Sequence, residues 1–306
     1  FSNCSALTKI TIDESNENYT TVDGVLYNKD KTLLIAYPIG NERTSFATPS
    51  TLTDMRSSLF AYSQNLKKVT LNEGLKRLPT STFNSSKITD INIPASLNEI
   101  GSFAFKDCYD LQTVAIAGGS NLESISNDAF SECSSLKQIE LPEGLKYIYS
   151  RAFQYCSKLS KVNIPTSVTK IGSSAFYNSA VLDNTIAING IKYMDGWLVW
   201  SKTEITEAEV DDGAKGIADG GLADHTTLTT VNIPKSVIYI NQDAFDNTPA
   251  LSSINVDEQN SAYSSLDGIL YNKDKTSLVK YGEGRTETAF SVPDGVQSIE
   301  AKAISN

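Results

Sequence analysis

The sequence predicts a repeat solenoid with coils of about 23 residues, short parallel strands on one face, short helical or irregular returns, and β-hairpin inserts. Two observations carry this prediction. Residues 136–158, LKQIELPEGLKYIYSRAFQYCSK, are followed by LSKVNIPTSVTKIGSSAFYNSAV, which repeats the same apolar, proline and phenylalanine slots. The phenylalanine of that unit also recurs at Phe60, Phe83, Phe105, Phe130, Phe153 and Phe176, at steps of 22 to 25 residues, and returns at Phe245. Phe1, Leu222 and Ile304 are read as further members of the same column. A fixed period of this length means that each unit buries its apolar face only against its neighbours, so residues 1–306 are expected to form one elongated body.

Within the unit, Leu136, Ile139 and Leu141 mark a short strand, which Pro142 ends and Gly144 turns. The following apolar positions, Leu145, Ile148, Ala152 and Phe153, fit a short irregular or helical return. Cys4, Cys108, Cys133 and Cys156 each lie three residues after a slot phenylalanine, so they occupy one slot of the repeat and are expected to form a column of small buried thiols. Side chains in one column point in parallel, a geometry unsuited to disulfides. Ser86, Ser179, His225 and Thr248 fill the same slot in other units.

Three stretches depart from the plain unit. Residues 10–49 and 254–293 align at a constant offset of 244 and share DG[VI]LYNKDKT, read as a β-hairpin projecting from a coil. A degenerate copy, DGWLVW, lies in residues 186–208 and fills the disguised slot between Phe176 and Leu222.

The formal net charge of −10 and pI near 4.7 disfavour nucleic acid and anionic lipid as partners. No apolar run is long enough to span a membrane and neither end reads as a signal peptide, so no membrane insertion is expected within these residues. The chain begins and ends inside repeats, which suggests a fragment of a longer product.

No nucleophile, zinc or nucleotide motif is present, and the single histidine, His225, sits in a repeat slot without a partner motif. No catalytic residue, metal or cofactor is therefore expected. The carboxylate pairs Asp13 with Glu14, Asp211 with Asp212 and Asp257 with Glu258 read as turn chemistry, since two of the three pairs are one slot of the duplicated insert. A calcium site at Asn28 and Asp30, or at Asn272 and Asp274, lacks the glycine and distal glutamate of an EF-hand loop.

The candidate binding surface is the outward strand face, Lys137, Gln138, Glu140, Lys161, Asn163, Asn92 and Asn232, together with insert aromatics Tyr27, Tyr271, Trp197 and Trp200. Core packing of the inserts is the competing reading for the aromatics.

The motif L-x-x-[VI]-x-[IL]-P-x-[SG]-[VL]-x-x-I-x-x-x-A-F-x-x-C resembles the leucine-rich repeat of BspA-like, or Treponema pallidum type, bacterial surface proteins, strongest over residues 66–176 and 228–245. The resemblance implies an exported, extracellular or cell-surface module, adhesin-like, that engages a host matrix protein or a protein of a host or neighbouring cell. A spacer or assembly solenoid carrying a further domain is the alternative reading, and a glycan-acting enzyme a third.

Overall fold

A computed structural model describes residues 4–304. The chain divides into two compact units: Phe1–Val168 with Ser174–Asn184, and Thr169–Ser173 with Thr185–Asn306. Phe1, read as the first slot phenylalanine, lies outside the described residues.

In the first unit each coil contributes two short strands. One column holds Ser45–Ala47, Lys68–Thr70, Asp90–Ile93 and Thr113–Ile116, paired in parallel with Phe46, Val69, Ile91 and Val114 in register. Alternation does the sorting. Val69, Ile91 and Val114 are buried, while their neighbours Thr70, Asn92 and Ala115 are exposed. Gln138–Ile139 and Lys161–Val162 continue the pattern as a separate parallel pair after residues 117–122.

A second column runs through the segment expected to be an irregular or helical return. Arg77–Leu78, Glu99–Ile100, Ser124–Ile125 and Tyr147–Ile148 are two-residue parallel strands in register. Their second residues, Leu78, Ile100, Ile125 and Ile148, are fully buried. The return is thus itself partly strand, because a buried apolar residue flanked by polar ones suits a ladder with the next coil.

Beyond the second strand, each coil closes around its phenylalanine. Phe60, Phe83, Phe105, Phe130, Phe153 and Phe176 form one continuous stack, with adjacent ring centroids 5.1, 5.2, 4.9, 5.3 and 5.4 Å apart and no interplanar angle above 9°. Those separations follow from the spacing of paired strands, about 4.8 Å, and lie within the range of offset-stacked aromatic pairs. Tyr37 and Phe46 cover the N-terminal end of the stack, tilted against buried Phe60 at 5.0 and 5.6 Å.

The backbone around each ring is unusual. Residues two before and two after the phenylalanine are left-handed: Ser58 and Tyr62, Ser81 and Ser85, Phe103 and Asp107, Asp128 and Glu132, Arg151 and Tyr155, Ser174 and Asn178, with φ between 53° and 65°. This conformation costs a non-glycine residue on the order of 1–3 kcal/mol. It is held because it points alternate N–H groups at the next coil. The N–H groups of Ser81, Phe83 and Ser85 donate to the carbonyls of Ser102, Ala104 and Lys106 at 2.9, 2.7 and 2.8 Å, and those of Asp128, Phe130 and Glu132 donate to Ser150, Ala152 and Gln154.

The cysteine slot completes this accounting. Cys108, Cys133 and Cys156 are fully buried, and their thiols donate to the carbonyls of Phe83, Phe105 and Phe130 in the preceding coil at 3.0 to 3.1 Å. Burial pushes the Cys108 and Cys156 thiols up to about 12. What the slot requires is a small donor. Ser179 and Thr248 satisfy it from their own coils, donating to Phe176 and Phe245, and Ser86 lies against the Cys108 sulfur at 3.6 Å. Cys4 departs from the expected buried column, since it is exposed.

The inserts are not simple projections. In residues 10–49, Tyr19–Val22, Val25–Asn28 and Leu33–Ala36 form an antiparallel meander, and Leu33–Ala36 then pairs in parallel with Asp54–Met55. The last strand is therefore the coil's own. Asn28 braces the turn, donating to Thr32 Oγ1 at 2.7 Å and accepting from the Leu33 N–H at 2.8 Å, which accounts for the NKDKT string.

The second unit repeats these devices. Tyr263–Leu266, Ile269–Asn272 and Ser277–Lys280 reproduce the meander, Asn272 braces its turn on Thr276 and Ser277, and Ser277–Lys280 pairs with Ser298–Ile299. Tyr281 sits one period before Ile304 and its N–H donates to Ala303, so it holds a slot position the phenylalanine count passes over. Ile304 itself is exposed, contrary to its expected place in the core, while Ala303 beside it is buried. The degenerate copy is a two-stranded hairpin, Ile191–Met194 with Trp197–Ser201, and the latter pairs in parallel with Gly216–Ile217. Gly216 is required there: a Cβ would fall 2.7 Å from the Trp197 ring, which stacks instead on Tyr239 across it at 5.8 Å.

Phe153 is stacked on both sides and fully buried. Phe153→Ala is expected to cost about 3–5 kcal/mol, checked by chemical denaturation, with Phe153→Leu losing less because it leaves a smaller void.

Candidate functional site

The outward slots of the first strand column are where the fold leaves residues free to vary. Asn92 lies between Thr70 and Ala115 in register, and Gln138 lies beside Lys161. Lys137, Gln138, Glu140, Lys161, Asn163 and Asn92 are all exposed, as their alternation requires.

Some of this polarity is already used. Asn163 accepts from the Leu141 N–H at 2.8 Å and donates to the Leu141 carbonyl at 2.9 Å, so it extends the neighbouring strand with its side chain. In the second unit, half-buried Asn232 donates to Glu207 at 3.0 Å and to Glu209, and accepts from Asn255 at 2.8 Å. Its amide braces a ladder of the molecule's own residues.

The insert aromatics need correction. Tyr27, Tyr271 and Trp197 are at most 2 % exposed, so they form the cores of their hairpins and offer no contact surface. A short strand stays in place only by burying one face, and these rings are that face. Trp200 is half-buried, with the Lys192 ammonium 5.4 Å from its ring centroid.

Of the insert aromatics Tyr19 is exposed, at 45 %, and the other exposed aromatics lie on plain coils. Tyr62, Tyr109, Tyr155 and Tyr177 of the first unit are 40 to 51 % exposed, and Tyr147 is 37 % exposed. Tyr62 and Tyr155 hold the left-handed position two residues after a slot phenylalanine, and Tyr177 packs edge-on against Tyr155 at 5.9 Å. The repeat pattern gave no sign of them, because these positions face outward and packing does not restrict which residue fills them.

The carboxylate pairs behave as turn groups. Asp13 accepts from the Ser15 N–H and hydroxyl at 2.9 and 2.6 Å, which holds its carboxyl below the usual range, and Asp257 accepts from the Gln259 N–H at 2.7 Å. Among the described residues, no group of three or more His, Cys, Asp or Glu side chains could hold a metal ion. Asn28 and Asn272, the candidate calcium ligands, have both amide ends committed to their turns. No helix among the described residues is long and apolar enough to cross a membrane.

His225 is 1 % exposed and sits against Ser201, with Nε2 2.7 Å from Oγ. The Ser201 hydroxyl donates to the Gly221 carbonyl at 2.7 Å, so its oxygen is left to accept from the imidazole. The histidine thus does the slot's work through a serine. Buried within the repeat, this pair has no access to a substrate, and desolvation lowers the imidazole's pKa below its ordinary value of 6.5.

A family description, the BspA type leucine rich repeat region, matches in six copies, at residues 40–159, 115–220 and 146–272. The chain belongs to the BspA-type leucine-rich repeat family. Solved structures similar to this BspA-type chain include a leucine-rich repeat protein from Eubacterium ventriosum, at 30% identity and TM-score 0.48 over 56% of this chain and 53% of that one. The chain thus spans about half the length of that relative. The pneumococcal vaccine antigen PcpA aligns over 99% of this chain and 86% of its own at 16% identity and TM-score 0.42, and the Treponema pallidum leucine-rich repeat protein over 72% and 81% at 20% and 0.37. A leucine-rich cell surface protein from Faecalibacterium prausnitzii aligns over 96% and 87% at 19% identity and TM-score 0.35. No curated protein sequence matches.

Because the folded state lowers the His225 pKa, the unfolded chain binds the proton first as pH falls below about 6.5. This residue's contribution to stability is present above that pH and is lost in acid. His225→Ser, which restores a small donor, is expected to lose less melting temperature than the parent chain between about pH 7.5 and about pH 5. Equal losses in the two proteins would contradict the assignment.

Proposed function

We propose that residues 1–306 serve as one cell-surface or extracellular binding module, engaging a host matrix protein or a surface protein of a host or neighbouring cell, and carry no catalytic activity. The observation that carries this reading is the set of exposed tyrosines, Tyr62, Tyr109, Tyr155 and Tyr177, on the returns of the first unit. Tyrosine presents a large rigid face with one polar atom, the chemistry enriched at energetic centres of protein interfaces. Tyr155 and Tyr177 support one another edge to face, so little conformational freedom remains to be lost on binding.

Lys137, Gln138, Glu140, Lys161 and Asn92 supply a second, polar surface of the kind repeat proteins use for broad contacts. The acidic balance disfavours nucleic acid or anionic membrane as the partner. Family membership supports a surface location, and the similar leucine-rich cell surface protein from Faecalibacterium prausnitzii is consistent with it; adhesion is the role proposed for such a module.

Surface plasmon resonance of the full chain against immobilised matrix proteins tests this. Saturable binding is expected, weakened about tenfold or more when Tyr155 and Tyr177 are both replaced by Ser, since loss of an aromatic anchor costs on the order of 1–2 kcal/mol. Absence of saturable binding by the folded chain to any matrix or cell-surface protein would sink the adhesion reading.

A further inference from the structure

The outward positions of the second strand column change character over three successive coils of the first unit. Glu99, Ser124 and Tyr147 lie side by side in register. Two residues further along each coil stand Gly101, Ser126 and Tyr149. Gly101 is fixed by packing, since a Cβ there would fall 2.5 Å from the Leu78 carbonyl oxygen.

Ser124 sets the surface back between Glu99 and Tyr147, and Gly101 and Ser126 keep it low beside Tyr149. The result is a groove of about 410 Å³ whose lining includes Glu99, Glu123, Ser124, Ser126, Tyr147 and Tyr149. That volume lies within the range of about 300–1,000 Å³ typical of small-ligand sites. Tyr147 and Tyr149 stand on one side, ring centroids 5.9 Å apart and tilted 34°, and Tyr147 is 37 % exposed. Asn98, Ser102 and Asn127 add further amide and hydroxyl groups to the lining.

We propose that this groove binds a neutral saccharide. A pyranose ring has an apolar C–H face and an equatorial rim of hydroxyls, and the groove offers an aromatic wall beside a floor and opposite wall of hydroxyl, amide and carboxylate groups. Glu99 and Glu123 repel sialylated, sulfated or phosphorylated ligands. They exert a weaker pull on a basic peptide than two free carboxylates would, because each is already engaged: Glu123 accepts from the Lys146 ammonium at 2.8 Å and Glu99 from the Ser126 hydroxyl at 3.1 Å. Glu123 is exposed and half-buried Glu99 lies among polar groups rather than apolar walls, so the site holds a sugar without the surroundings that poise a glycosidase's acid.

The site does not include Tyr62, Tyr109, Tyr155 or Tyr177, and its test is independent of theirs. The full chain is screened on an array of neutral and sialylated oligosaccharides, and the best neutral binder is followed by titration calorimetry. Binding to a neutral oligosaccharide in preference to its sialylated counterpart is expected. It should weaken about tenfold in Tyr147→Ala or Tyr149→Ala and vanish in Ser124→Phe, which fills the floor, while Tyr155→Ser leaves it unchanged. Melting temperature confirms that each variant is folded. The proposal is overturned if no neutral oligosaccharide binds, if binding ignores all three groove substitutions, or if a lysine-rich peptide competes for the groove more strongly than any sugar.

Discussion

Each coil from Phe60 to Phe176 must bring its backbone around a buried phenylalanine without leaving polar groups unpaired, and the rest of the structure depends on how that is done. Two left-handed residues flank each ring from Phe60 to Phe176, and at Phe60, Phe83, Phe105 and Phe130 three N–H groups are aimed at the next coil. The ring then stacks on its neighbour at about 5 Å. Neither half is stable alone. A left-handed serine or tyrosine is unfavourable by itself, and a phenylalanine stack with unpaired carbonyls behind it would carry a desolvation cost for each one. The slot three residues after the ring, with its Cys, Ser, Thr or His, closes the circuit by supplying a donor to the interior.

This constraint also decides where function can reside. Inward slots are committed to the stack and the aliphatic columns, and several outward slots are committed to bracing, as Asn163 and Asn232 demonstrate. What remains variable is the outward face of the strands, the left-handed corners, and places where small side chains lower the surface between coils. Tyr155 occupies a corner, and Ser124 with Ser126 lowers the surface beside Tyr147. A substitution at any of these positions changes a contact surface without touching the interlocked core, which is the general advantage of building a recognition surface on a repeat.

Much of the fold was legible in the sequence, because buried slots recur. The period, the phenylalanine column, the proline stop after the strand and the duplicated DG[VI]LYNKDKT inserts all follow from residues that packing restricts. Other features left no such mark. The second strand column, as at Tyr147–Ile148, is two residues long and offers no alternation to read. Tyr37 and Tyr281 hold slot positions with a different ring, and the inserted residues shift the count around them. Tyr27, Tyr271 and Trp197 were open to both a contact and a core reading, because composition does not say which face of a hairpin is buried. Tyr147, Tyr149 and the corner tyrosines were invisible for the opposite reason, since outward slots vary freely and a repeat pattern carries no information about them.

Native-state amide hydrogen exchange tests the central claim most directly. If the returns are held by coil-to-coil bonds, the N–H groups of Tyr62, Ser85, Asp107, Glu132 and Tyr155 exchange as slowly as those of the first strand column, although these residues lie at turns and Tyr62 and Tyr155 are exposed. Exchange of those five amides at the fast rates of ordinary surface turns, with the strand amides protected, would contradict the account and leave the phenylalanine stack as packing alone.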